Sequence, residues 1–178
     1  PQVAAHAREI KAAGAKYCDC PACAAVEAIL YNYEIDPAFP DAVRAAAQAA
    51  PEQVGPGERE GRLDLRDKLI FTIDGASAKD LDDAVSLEQD EQGRWVLGVH
   101  IADVSHYVPA ASPLDLEAWE RGTSVYFADR VVPMLPPELS NGICSLNPRV
   151  DRLTLSCLMT LTAEGELVGH TIVKSVIR

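Results

Sequence analysis

Apolar positions along the chain change their period near residue 67. Before that point they repeat as helices do. Residues 3–16 are alanine-rich and helix-prone, with Gly14 near their end. Val26, Ile29, Leu30 and Tyr33 then stand at i, i+3, i+4 and i+7, which predicts one face of a second helix, broken by Pro37 and Pro40. Asp41 opens a third short helix through Ala49, stopped at Pro51. From Pro51 to Asp67 glycine, proline and charge dominate, which reads as a loop or linker and as the main boundary.

Beyond it the alternation is that of strands. Leu69–Ile73 is expected as a short buried strand and 84–88 as a second. A third, Trp95–Ala102, pairs with the second through the turn Asp90–Gly93. Ser112, Pro113 and Asp115 carry a helix start, which Gly122 closes. Short strands at 124–127 and 130–133 precede a proline-rich turn over 135–137, and 153–162 with 167–177 form a long hairpin around Ala163–Gly165. The second hairpin strand reaches Arg178 without a cap, so the sheet is expected to continue further. The fold class expected is α+β: a small helical N-terminal part, then a mainly antiparallel mixed sheet with short helices. The expected units are 1–25, 26–67 and 68–178.

Composition narrows the function classes. With 48% hydrophobic and 24% charged residues in 178, the chain reads as globular, with no apolar run of membrane-spanning length and no secretory signal in its opening residues. Net charge is −11, which argues against a surface that binds phosphates everywhere. Asp74–Gly93 alone holds seven acids against Lys79. Five cysteines exclude a complete disulfide framework within one chain, and reduced thiols fit a cytoplasmic protein.

Within that stretch Asp74, Asp80, Asp82 and Asp83 arrive within ten residues, the first followed by Gly75. Four carboxylates so close repel one another and stay ionised only beside added positive charge. Hard divalent cations such as Mg²⁺ bind carboxylate oxygens, and two on one cluster stabilise both oxygens of a phosphodiester displacement. An EF-hand does not fit: counting from Asp74 puts Ala76 and Ala78 at ligand positions, and counting from Asp80 puts Val85 where Gly belongs. A solvated acidic loop is the plainer alternative.

Four blocks, TIDGASAKDLDDAV from Thr72, VHIADVSHYV from Val99, RGTSVYFADRVVPMLPPELSNGICSLNP from Arg121 and DRLTLSCLMTL from Asp151, closely resemble the catalytic domain of the ribonuclease II and ribonuclease R family, nearer to ribonuclease R. The similarity starts near Ala28 and runs to the last residue, making 68–178 the N-terminal portion of that domain. The resemblance implies Mg²⁺-dependent (or Mn²⁺-dependent) 3′-to-5′ hydrolysis of single-stranded RNA to nucleoside 5′-monophosphates. It implies Asp74 and Asp83 as direct metal ligands, Asp80 as a supporting ligand, Asp82 orienting the attacking water, and Tyr126 stacking on the 3′-terminal base. The family's basic channel, second stacking aromatic, scissile-phosphate arginine and OB-like modules have no counterpart in these residues, so an inactive fragment is expected.

Other residues stay open. His100 and His106 read as structural, and Asp103 as either structural or supporting the metal site. Cys18, Cys20 and Cys23 are plain thiols or a Zn²⁺ or iron–sulfur site lacking a fourth ligand. Arg121, Arg130, Arg149 and Arg152 are scattered surface arginines or phosphate contacts, with Arg130 the best placed. The competing functions are a non-catalytic metal- or RNA-binding module and a cysteine-cluster metal protein.

Overall fold

A computed structural model describes residues 20–127 and 130–178. The helix expected over 3–16 lies outside them. Helix α1 spans Pro21–Asn32 and buries Cys23, Val26 and Leu30. It starts earlier than its apolar spacing alone predicts because Pro21, with its fixed φ, occupies the first turn. Helix α2, Asp41–Gln48, buries Val43 and Ala47. The stretch after it is more than a connector. It holds a 3₁₀ turn at Gly57–Arg59 and strand β1, Leu63–Asp64. Val54 and Leu65 from this stretch are buried in two separate apolar clusters.

The remaining elements are β2 (Asp83–Gln89), β3 (Trp95–Ala102), the single-turn helix α3 (Val104–Tyr107), α4 (Pro113–Arg121), β4 (Val125–Tyr126), β5 (Val131–Val132), β6 (Arg152–Leu161) and β7 (Leu167–Ile177). Helix α4 is built as its sequence dictates. Ser112 Oγ accepts the Asp115 N–H at 3.2 Å, and Gly122 ends the helix at φ 69°. The main sheet runs β1-β7-β6-β3-β2, with every pairing antiparallel except β1 with β7. Strands β4 and β5 pair separately. This is the mixed, mainly antiparallel α+β architecture expected.

Two expectations need correction. Residues 69–73 form no buried strand: Phe71 makes one bridge to Val85, while Leu69 and Ile73 are each 83% exposed. Within the run only Ile70 packs on an apolar cluster, that of Leu65 and Ala84, while Leu69 and Ile73 stay open. The proline-rich turn leads into a wide helical turn, Glu138–Ile143, broken at Gly142. Asp103 lies in a buried ion pair, its carboxylate 2.7 Å from Arg62, both side chains at most 5% exposed.

The two faces of the sheet differ. Register places Val99 opposite Cys157 and Ile101 opposite Leu155, with Cys157 opposite Ile172. This face is apolar and largely open: Leu87, Ile101, Leu155 and Ile172 are 45–62% exposed. The opposite face buries His100, Thr154, Ser156 and Ser175 completely. His100 Nδ1 lies 2.7 Å from Ser156 Oγ and Nε2 lies 3.0 Å from Ser86 Oγ, with the Thr154 and Ser175 hydroxyls 2.7 Å apart beyond. His100 is thus structural, bonded to hydroxyls. His106 meets Glu58 at 2.9 Å. The cluster that holds Val54, under α2 and α4, joins Val43, Leu114, Leu139 and Ile143 to Leu153 and Val176 of the sheet.

Candidate active site

The acidic residues occupy the loop between the Phe71 bridge and β2. Loops hold functional side chains well only when their backbone is tied down, and this one is pinned at several points. Phe71 and Val85 exchange backbone hydrogen bonds at 3.0 and 2.9 Å, and the Ala102 N–H donates to Asp82 O at 2.9 Å. Ser145, fully buried, grips the middle: its hydroxyl donates to Lys79 O at 2.7 Å and accepts the Leu81 N–H at 3.1 Å. Arg152 in turn donates to Ser145 O at 2.7 Å and Gly142 O at 3.1 Å. Buried Ser145 and Arg152 are therefore positioning residues that the sequence did not single out in this role. A serine and an arginine carry no spacing signal that marks them for it.

The carboxylates feel one another. The surrounding protein, and then the negative charges of Asp80, Asp83 and Asp74, push the Asp82 carboxyl above its ordinary value. Asp80 moves the other way. The Tyr126 hydroxyl donates to its Oδ2, which holds that carboxyl below its ordinary range and raises the phenol. Tyr126 belongs to β4 and is 62% exposed. Its open ring and Asp80 face a cavity of about 540 Å³, also bounded by Lys79, Ser124, Ser140 and Asn141. That volume suits a nucleotide-sized ligand.

Oxygen-only donors under mutual repulsion fit Mg²⁺ or Mn²⁺ by chemistry and charge. The fit is not that of a preformed cage: among the described residues no three His, Cys, Asp or Glu side chains converge on one point. Arg130 is not among the walls of the cavity. Its side chain is 6% exposed and donates to Glu27 of α1. The Cys20 and Cys23 sulfurs lie 3.7 Å apart, and Cys18 is outside the described residues. Among those residues no helix is long and apolar enough to cross a membrane.

Residues 62–178 match the RNB domain model. The chain belongs to the RNB domain family. It is 57% identical over 150 residues to ribonuclease R 1 of Lactococcus lactis, covering 84% of this chain and 18% of that protein. To ribonuclease R of Escherichia coli it is 49% identical over 152 residues, covering 85% and 19%. The structure superposes on Mycoplasma genitalium RNase R in complex with double-stranded RNA with a TM-score of 0.83, at 32% identity over 90% of this chain and 28% of that one. The resemblance read from the motif blocks therefore holds, and the chain spans less than a third of each relative's length.

Proposed function

We propose that this RNB domain segment carries the acidic half of the active site of a cytoplasmic, ribonuclease R-type 3′-to-5′ exoribonuclease. Its substrate is single-stranded RNA, released as nucleoside 5′-monophosphates. The observation that carries this reading is the pinned loop on which Asp74, Asp80 and Asp83 act together on Asp82, with the Tyr126 ring beside them. Asp74 and Asp83 would hold a divalent metal, with Asp80 in support. Such an ion polarises the phosphodiester and lowers the pKa of bound water. Asp82 orients the attacking water, and its carboxyl, raised by burial and by the charges of Asp80, Asp83 and Asp74, holds a proton more readily than an isolated aspartate does. The Tyr126 ring supports a terminal base without regard to its identity, since every base has a π-face. The buried Ser145 and Arg152 keep the loop's backbone from shifting, and a misplacement of about 1 Å is enough to lose roughly a hundredfold in rate.

Two measurements test this. Calorimetric titration with Mn²⁺ is expected to give saturable heat at millimolar metal, lowered in Asp82→Asn; absence of heat in the wild type overturns the metal assignment. A 5′-labelled RNA is expected to shorten hardly at all with this chain, whose only base on the cavity wall is Lys79. Joined to the remainder of a ribonuclease R catalytic domain, it is expected to shorten RNA from the 3′ end, and Asp82→Asn to abolish this.

A further inference from the structure

Arginines converge at the start of β6. Asp151 is shared by three guanidinium groups: Arg59 at 3.1 Å, Arg66 at 3.2 Å and Arg178 at 2.8 Å. Arg152 beside it is turned inward onto backbone carbonyls. A cavity of about 240 Å³ opens here, walled by Gln53 and Val150 with Arg149, Arg152 and Arg178, and Asp151 is the acidic side chain among them. In a chain of net charge −11 this is a local reversal of sign.

Arg149 is the odd member. Its backbone sits at φ 66°, the left-handed region where glycine or asparagine is at home and an arginine is strained. The side chain is exposed and takes part in none of the hydrogen bonds or ion pairs that bind its neighbours. The fold gains no contact from this guanidinium, yet holds it out at the rim of a basic cavity. Strain retained without a structural contact points to a ligand.

The cavity also leads somewhere. Val150, Arg152 and Arg178 are walls of a second cavity of about 370 Å³, whose other end is formed by Phe71, Thr72 and Leu81. Thr72 stands two residues before Asp74, Leu81 lies between Asp80 and Asp82, and Phe71 is 47% exposed. Basic groups and an aromatic ring thus line one groove, which reaches the segment that carries the carboxylates. A planar fork of N–H donors at its far end fits a phosphodiester oxygen.

We infer that Arg149, with Arg178, forms a contact for the RNA phosphate backbone at the end of this groove away from the acidic loop. The inference rests on the reading that the substrate is RNA, and is tested without metal so that hydrolysis plays no part. Binding of a fluorescein-labelled oligouridylate to the full chain is followed by anisotropy in EDTA from 20 to 200 mM salt. Arg149→Gly removes the charge and relieves the backbone. It is expected to weaken binding about eightfold at 50 mM salt and to reduce the slope of log K against log salt by about 0.7, the contribution of one single-strand phosphate contact. Arg149→Lys is expected to restore most of both, and Arg149→Gly to melt no lower than the wild type. Unchanged affinity and slope in Arg149→Gly overturn the inference, as does a wild type that binds no RNA in EDTA. Loss of the Mn²⁺ heat signal with RNA binding intact overturns the catalytic reading instead and leaves this contact standing.

Discussion

Replacing Arg62 by methionine removes a guanidinium that joins the segment before the sheet to the end of β3. Arg62 Nη2 donates to Asp103 Oδ2 at 2.7 Å, with the two side chains 4% and 5% exposed, and Nε donates to Glu58 O at 3.1 Å. The loss strands a buried carboxylate, a change that costs about 3–5 kcal/mol. Two groups soften it: the Ser105 hydroxyl donates to Asp103 at 3.1 Å, and Lys174 Nζ stands 4.0 Å away. The expected loss is therefore at the low end, about 3 kcal/mol. Urea unfolding at pH 7 reads it as a lower midpoint at constant m. Adding Asp103→Asn removes the stranded charge, so the double variant is expected to be more stable than Arg62→Met alone. The pH dependence has a definite sign. Burial alone would raise the Asp103 carboxyl, but the bonds from Arg62 and Ser105 and the charges of Arg62 and Lys174 hold it below its ordinary value. A lowered carboxyl stabilises the fold above its unfolded pKa of about 3.9 and loses that contribution as pH falls through the folded value. In Arg62→Met the guanidinium is gone and burial pushes the stranded Asp103 carboxyl up, so that carboxyl takes up its proton earlier as pH falls and the deficit of the variant is expected to shrink from pH 7 towards pH 4. A loss below about 1 kcal/mol, or one independent of pH, refutes the claim that this pair ties the two segments together.

Two further outcomes follow from the polar face of the sheet. A Cβ on Gly98 would lie 2.4 Å from Ser86 Oγ and 2.7 Å from His100 Nε2, so Gly98→Ala is expected to cost about 2–4 kcal/mol by overpacking and by breaking the His100 bonds, read by thermal unfolding. Burial holds His100 below its ordinary pKa, so the unfolded chain takes up a proton first as pH falls below about 6.5; stability is expected to drop from there, and His100→Gln to flatten that drop in urea unfolding at pH 5 and 7.

The parts of this fold that were legible in the sequence are those made by near neighbours. Ser112 and Gly122 mark their helix because caps are local, and the turn Asp90–Gly93 registers β2 on β3 because a hairpin closes on itself. What could not be read joins distant residues. β1 is two residues long and owes its existence to Ser175 and Val176. Helix α3 is one turn, below the length that periodicity can detect. The acidic loop was visible because carboxylates and their spacing are themselves the signal. Its anchors, Ser145 and Arg152, were not, since their role is set by three-dimensional contact with Lys79, Leu81 and Gly142. The contact of Arg130 with Glu27 was out of reach for the same reason, as it joins residues 103 positions apart.

The open apolar side of the sheet bears on colloidal behaviour. Leu87, Ile101, Leu155 and Ile172 present a flat surface with little to stop one copy from sticking to another except mutual repulsion, and with a net charge of −11 that repulsion is strong at neutral pH. It is also long-ranged only in dilute buffer, since the screening length falls to about 8 Å at 0.15 M salt and about 3 Å at 1 M. Acidification removes the charge itself, because the sequence pI is near 4.7. The chain is therefore expected to stay dispersed in low salt at pH 8, to salt out at high salt, and to precipitate as its buffer approaches pH 5.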